Sequence, residues 1–258
     1  MTLSEFYLAR EGGGNMPKYV EQIVAEQIKR AELSRRASEE WLSGRRIPLE
    51  NPRIITISRQ LGSGGRVVAE ILAERIGWSL WDRELVDAIA ENAHLNARIV
   101  DSFDEKTVSE IEALTRSILG EPEIGGFLFG RQLARVVLSI ARRGNAIILG
   151  RGANFVLPNA LNIRLEASLE ARISNMMKIE GLTREEAIDQ IHHSDRERAA
   201  FTRQVFNKDI DDLSSYDLVI EMDCFTTADA AEIIITAAKC RFPELSETAM
   251  ILTADERR

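Results

Sequence analysis

The sequence predicts an α/β fold of three layers, a five-stranded parallel sheet covered by helices on both faces, plus an N-terminal helical extension. Three observations carry this. From Arg53 onward, short apolar runs rich in β-branched residues alternate with stretches of helical periodicity. The first of these runs ends in a Gly/Ser loop that opens directly into a helix, and charged clusters follow several of the others. A chain of 258 residues with 45% hydrophobic side chains can bury the core that such a sheet needs.

Residues 1–50 form the extension. After the Gly-rich break at Gly12 to Gly14, the segment 17–42 is rich in Glu, Lys, Arg and Ala, and it sets Val20, Ile23, Val24, Ile28 and Leu33 at mainly helical spacing. The narrow apolar stripe packs either on its own domain or on a second copy of the chain, as a homo-oligomer through this helix. Acidic and basic residues balance there, which gives no reason for membrane attachment. Arg45 and Arg46 with Pro48 and Pro52 read as a linker. Strands are then expected at 54–58, 78–81, 146–149, 161–165 and 217–222, and helices at 66–76, 84–93, 132–143, 169–179, 183–198 and 228–238. Thr183 with Glu186 and Thr226 with Asp229 fit helix N-caps and their partners three residues on. Residues 243–258 make a C-terminal tail.

Composition excludes several classes. The net charge of −8 argues against a general nucleic-acid binder, so any anion site is local. Cys224 and Cys240, with His94, His192 and His193, show no metal-ligand spacing, and no structural zinc is expected. The N-terminus lacks the basic start and apolar core of a leader, and no run approaches the roughly 20 apolar residues of a membrane span. A cytoplasmic protein is the expectation.

The segment from Ile54 through Ser58, Arg59, Gln60, Leu61, Gly62, Ser63, Gly64 and Gly65 to Arg66 carries the first functional signal. Strand, glycine turn and helix N-terminus together form an anion site, because glycines admit close approach and the first helical amides carry partial positive charge. Against the pattern GxxxxGK[ST], Arg59 stands at the first glycine and Gly65 at the lysine. Arg59 and Arg66 flank the loop and are the candidate replacement cations. In open parallel sheets ligands bind at the carboxyl ends of the strands, so the loops after Ser58, Trp81, Leu149 and Leu165 should converge. Two of them are charged: Asp82-Arg83-Glu84 and Gly150-Arg151-Gly152. Arg151 suits bidentate phosphate binding, with a surface salt bridge as the alternative. Asp82 either orients a hydroxyl or a magnesium-bound water, or it caps the next helix. The cluster from His192 to Arg203, followed by Lys208 and Asp209, has the composition of a mobile lid, or else of a solvated helix face with i,i+4 ion pairs. No catalytic role is assigned to the paired histidines. The stretch Gly125 to Gly130 reads equally as a flap or a buried turn.

Four blocks, LGSGGRVVAEILAERIG, WDREL, AIILGRGANFVLPNALNIRLEASLEARI and DRERAAF, resemble the cytidylate kinase-like family of P-loop nucleoside monophosphate kinases, over about residues 53–238. The resemblance implies a P-loop NTPase three-layer fold over residues 51–242, with a monophosphate-binding insertion at 82–130 and a lid at 192–212. It also implies ATP and Mg2+, nucleotide substrates, and phosphoryl transfer to CMP or dCMP. Cytidylate kinases carry a loop like GPSGSGKGT, a Gly-Arg-Asp and a lid Asp-x-x-Arg. Gly62, Ser63, Gly64, Arg151, Asp195 and Arg198 match those positions. Gly65 replaces the lysine, Val67 the magnesium-holding threonine and Gly152 the aspartate. Each of the first two contacts is worth about 3 to 6 kcal/mol in related chemistry, so replacements are required for activity.

The implied assignment follows. Gly62, Ser63, Gly64, Gly65 and Arg66 bind ATP, and Arg59 or Arg66 supplies the cation. Asp82, Arg83, Arg151, Asp195 and Arg198 face the acceptor, and Arg196, Arg198 and Arg203 act from the lid. Asp82 is also the candidate magnesium or hydroxyl-orienting residue. The competing class is a nucleotide sensor or regulatory module that kept the loop, lost the chemistry, and engages a partner through the N-terminal helix.

Overall fold

The computed structural model describes residues 16–42, 53–92, 96, 99–100, 103–119, 128–243 and 245. Along the chain run α1 (Met16–Leu42), β1 (Ile54–Arg59), α2 (Gly65–Ile76), β2 (Ser79–Trp81), α3 (Arg83–Glu91), α4 (Glu105–Leu119), α5 (Leu128–Arg143), β3 (Ala146–Leu149), α6 (Ala153–Val156), β4 (Leu161–Glu166), α7 (Leu169–Glu180), α8 (Arg184–Phe206), β5 (Leu218–Glu221) and α9 (Thr227–Arg241). All strand pairs are parallel, in the order β2-β3-β1-β4-β5. Ile57 lies opposite Leu149 and Ser58 opposite Arg164, which brings the carboxyl ends of β1, β3 and β4 side by side.

Successive strand residues point to opposite faces, and along β1 to β4 both faces are buried, while edge strand β5 buries Ile220 alone. Ile54, Ala146, Ile148 and Trp81 pack with Val20, Leu85, Val86, Leu133 and Val137 beneath α1, α3 and α5. Ile55, Ile57, Leu80, Ile147, Leu149, Ile163 and Leu165 pack with Val68, Leu72, Ala231 and Ile235 beneath α2 and α9. Apolar runs of only three to six residues therefore suffice as strands. Both expected capping boxes form, at Thr183 with Glu186 and at Thr226 with Asp229.

The stripe on α1 is covered within the chain: Val20, Ile23, Val24 and Ala31 are buried, whereas Leu33, expected on the same stripe, is 56% exposed. Two polar side chains fix the helix. The Leu80 amide of edge strand β2 donates to Gln27 Oε1 at 2.9 Å, and Arg30 donates to the Ala73 carbonyl at 2.6 Å. An edge strand otherwise presents unpaired backbone groups, and α1 shields this one.

Several helices differ from expectation: α4 and α6 stand where none was expected, α5 begins at Leu128 and not at 132, and α8 runs past its expected end. Within the expected insertion, α4 buries Thr107, Ile111 and Thr115, so two of its three buried positions are polar. The helix expected to stop near Arg198 runs on to Phe206, where Asn207 caps it in the left-handed region at φ 52°. Thr202 and Phe206 continue its buried face, while charged residues on the other face mask the period. The expected lid is thus the second half of α8 and the loop after it. Of the stretch 125–130, residues 125–127 lie outside the described residues, and Gly130 is buried in α5. Residues 1–15 and most of the tail from 243 also lie outside them. Among the described residues no helix is long and apolar enough to cross a membrane.

Candidate active site

Residues 55, 57 and 59 share the sheet face covered by α2, so the stem of Arg59 leaves β1 toward the first turn of that helix. A Cβ on Gly65 would lie 2.7 Å from Arg59 Cβ and 2.8 Å from its Cγ, closer than side chains tolerate. Gly65 therefore gives the Arg59 stem its path, and the guanidinium reaches the strand β3 side, where a Cβ on Gly150 would collide with Nη1. The cation missing from the seventh position of the loop enters from the first.

Around it the loop is built for an anion. Gly62 and Gly64 sit at φ 82° and 79°, where a side chain would be strained. Gly64 caps α2 without a side-chain hydrogen bond, and the first turn of α2 carries no acidic residue. By contrast α3, α7, α8 and α9 each begin with a side-chain cap and an acidic first turn. The positive end of α2 is left to an outside partner. Gln60 holds the loop on β4: its amide donates to the Leu165 carbonyl at 3.1 Å, and its side-chain oxygen accepts from the Ala167 amide at 3.0 Å.

A cavity of about 320 Å³ opens at the carboxyl ends of β1 and β3, lined by Arg59, Arg83, Arg151 and Arg198 together with Ser58, Asn154, Phe201 and one carboxylate, Glu197; of the glycine loop it takes in Arg59. Arg198 donates to the Arg59 carbonyl. Burial and then the charge of Arg59 push the Arg198 guanidinium down to about 9, with Arg83 and Arg164 adding to the fall and Asp195 opposing it. A group whose like-charged neighbours penalise its own charge is a site that an anion relieves.

Arg151 sits at the carboxyl end of β3 in a run of left-handed residues, with φ 85° at Gly150, 54° at Arg151 and 62° at Gly152. For a non-glycine residue that conformation costs about 1–2 kcal/mol. It is held by a bidentate pair with Asp87 and by stacking 4.7 Å above the Phe201 ring. Gly152 has no room for a side chain such as the aspartate that the resemblance led one to expect, since that space is filled by the Phe206 ring.

The other expected site residues divide. Arg83 lines the cavity and lies 4.0 Å from Asp87. Asp195 belongs to Arg172, whose Nη2 donates to both its oxygens at 2.8 and 2.7 Å. Arg66 turns along α2 to Glu70 at 3.1 Å with its side chain 41% exposed, outside the cavity lining, whereas Arg59, the other expected replacement cation, lies within it. Asp82 is 3% exposed and accepts the Leu85 amide at 3.0 Å, which suits capping and not the expected magnesium or hydroxyl-orienting role. Arg196 is exposed, and Arg203, also exposed, lies 3.7 Å from Asp209; neither faces the cavity, because helical spacing puts them on the outer side of α8. His192 and His193 are exposed on the same helix.

Sequence reasoning missed Asp87, Arg164, Arg172 and Asn175. Arg164 is 3% exposed in mid-strand and bonds Ser58, Glu166 and Asp211. An arginine inside an apolar strand is expensive without such partners, and that was its legible signal. Arg172 and Asn175 had none, being ordinary polar positions of a helix.

The chemistry of these residues fits phosphate groups. For magnesium the fit is poor: among the described residues no group of three metal-binding side chains occurs, and Val67 presents an alkyl group where a hydroxyl would stand.

A family model described as the cytidylate kinase-like family matches residues 54–224, which includes all five strands and the whole cavity lining. A cytidylate kinase of Pyrococcus horikoshii is 29% identical over 170 residues, covering 65% of this chain and 78% of that protein. One from Methanothrix thermoacetophila is 31% identical over 170 residues, covering 65% and 87%. In fold, a crystal structure of a protein from Eubacterium ventriosum superposes with a TM-score of 0.51 at 21% identity, covering 72% of this chain and 98% of that one. With its parallel sheet, glycine loop and arginine-lined cavity, the chain belongs to the cytidylate kinase-like family.

Proposed function

We propose that this protein transfers the γ-phosphoryl group of ATP to a nucleoside monophosphate, with CMP or dCMP favoured because the relatives are cytidylate kinases. The observation that carries the reading is the convergence of Arg59, Arg83, Arg151 and Arg198 on one cavity beside the uncapped start of α2. Backbone amides of the loop and first turn hold the donor phosphates. Arg59, floored by Gly65 and Gly150, neutralises them from the β1 side. Arg151, oriented by Asp87, grips the acceptor phosphate bidentately, with Arg83 beside it.

In the transfer, an oxygen of the acceptor phosphate attacks the γ-phosphorus while the bond to the bridging oxygen breaks, and charge spreads over the equatorial oxygens. Arg198 reaches that region from α8, and its charge, disfavoured among like neighbours, is stabilised as the phosphoryl group passes. Magnesium would arrive on the phosphates of ATP, as it commonly does, since the described residues hold no cluster of metal-binding side chains.

A coupled assay with ATP, magnesium and each of CMP, dCMP, UMP, AMP and GMP tests the proposal. Turnover with a pyrimidine monophosphate is expected. No turnover with any acceptor refutes the catalytic reading, and tight nucleotide binding without turnover would mark a regulatory module instead.

A further inference from the structure

The two helices α7 and α8 form a hairpin with a small core of its own, Ile173, Met176, Ala187 and Ile191, and Leu61 of the glycine loop packs into it. The loop is also bonded to that hairpin. Arg172 Nε donates to the Leu61 carbonyl at 2.7 Å, and Asn175 Nδ2 donates to the Gly62 carbonyl at 2.9 Å. These donors lie three residues apart on α7, so one helix face holds two consecutive loop carbonyls. Gly62 rests so closely on α7 that a Cβ there would lie 2.8 Å from the Arg172 carbonyl oxygen.

Peptide planarity gives these contacts a functional consequence. The chain has no cis peptide among its described residues, and in a trans unit the carbonyl and the amide hydrogen point in opposite directions. Pulling the Leu61 and Gly62 carbonyls toward α7 turns the Gly62 and Ser63 amides away from it. Ser63 closes the turn on one carbonyl: its hydroxyl donates to Gln60 O at 2.9 Å, and its amide lies 3.4 Å from the same oxygen, a long contact that leaves it free to turn to a stronger acceptor. Those amides are the kind of donors a phosphate takes at a glycine loop.

We propose that Arg172 and Asn175 are positioning residues for the donor phosphate loop, setting the direction of its amides from behind. Arg172 is 5% exposed and its second nitrogen holds both carboxylate oxygens of Asp195 on α8, the helix that carries Arg198 into the cavity. The same guanidinium therefore fixes the loop and α8 together, and Asp195 serves this linkage in place of a contact with the acceptor. The inference rests on the kinase reading above and deepens it, because it assigns the loop to ATP and the bracing to the donor side alone.

Calorimetry and steady-state kinetics on the full chain test it with ATP and CMP as probes. Asn175→Ala should weaken ATP binding and raise the KM for ATP about tenfold, the worth of one well-made hydrogen bond, while CMP affinity stays within about twofold. Melting temperature should hold to within about 3 °C, since Asn175 is only part-buried. Arg172→Lys keeps the charge but not both directions of bonding, and it should also raise the KM for ATP selectively. Equal loss of ATP and CMP affinity, or unchanged ATP affinity in both variants, overturns the assignment. Turnover of CMP with ATP at a native KM for ATP in both variants overturns this inference alone, whereas native protein that binds neither nucleotide overturns the kinase reading with it.

Discussion

Replacing Gly65 with lysine would put an ammonium group back where nucleotide-binding loops usually carry one, yet the geometry predicts loss, not gain. The new Cβ would lie 2.7 Å and 2.8 Å from two carbons of the Arg59 stem and 3.4 Å from Leu165 Cδ1. Carbon pairs rest at about 3.5–4.0 Å, so the first two contacts are roughly 1 Å too short. The clash falls on the root of Arg59, which cannot swing aside as a side-chain tip would. Overpacking of this kind costs about 1–3 kcal/mol. Removing a helical glycine returns about 0.5–1 kcal/mol, leaving a net loss near 1 kcal/mol and a melting point a few degrees lower.

The larger effect is on binding. With its stem pushed off the start of α2, the Arg59 guanidinium leaves the Gly150 side, and a charge-assisted phosphate contact worth about 1.5–3 kcal/mol goes with it. ATP affinity measured by calorimetry should fall about 10- to 100-fold in Gly65→Lys and in Arg59→Gly alone. In the double variant the lysine has room, and affinity should return to within about tenfold of native, a coupling of roughly 1.5 kcal/mol or more between adjacent positions. Should Gly65→Lys bind ATP as well as the native chain, or the double variant bind no better than either single one, Arg59 is not the substitute cation.

Three further outcomes follow from named contacts. Arg198→Met removes one charge from the cationic group; the displacement of Arg198 to about 9 from an ordinary value above 12 is worth at most about 4–5 kcal/mol. Solvent screening and the lost bond to the Arg59 carbonyl cut that to about 1 kcal/mol, so the unliganded variant should melt about 2–4 °C higher while binding phosphate groups more weakly. The sign follows from linkage: a base held low when folded destabilises the fold fully below about pH 9 and progressively less above it. The stability gap between variant and native protein should therefore narrow as pH rises through 9 in urea titrations. Gly152→Asp, the residue that the resemblance led one to expect, meets both a φ of 62° and the Phe206 ring, and should cost about 2–4 kcal/mol in chemical denaturation; a smaller loss would mean that the ring yields easily. Gln27→Leu leaves the Leu80 amide without its acceptor and should destabilise by about 1–3 kcal/mol, read from the urea midpoint at unchanged slope.

The strands were legible because a parallel sheet buried on both faces demands uninterrupted apolar runs, and Ile54, Ile55 and Ile57 or Ile147, Ile148 and Leu149 have few other uses. Glycine punctuation and capping pairs marked the helix starts equally well. What stayed hidden was either polar on its buried side, as in α4 with Thr107 and Thr115, or decided by a distant partner. The arginines of the site show the second kind. Arg59 and Arg66 are equivalent as letters beside a glycine loop, and strand parity together with the space over Gly65 and Gly150 separates them. Asp195 likewise reads as a lid residue until Arg172, 23 positions earlier, is seen to hold it.

On the proposed reading, carrying the cation on a strand in place of a helix changes more than its address. A lysine at the first turn of α2 would be a flexible point charge on four methylenes, whereas Arg59 is a planar fork with a glycine under its stem and another beside its tip. Less side-chain freedom remains to be lost when an anion binds. That arrangement has a cost in the empty protein, because the fork joins Arg83, Arg164 and Arg198 in a region where Asp195, already engaged by Arg172, is the opposing charge acting on Arg198. A ligand that brings negative charge relieves part of that cost, and a ligand that binds the folded state alone stabilises it in proportion to the logarithm of its concentration. Pyrophosphate should therefore raise the melting temperature well beyond sodium chloride at matched ionic strength, and Arg59→Gly should abolish most of that difference. If both salts act alike on the native chain, the guanidinium groups are merely screened and no phosphate is held.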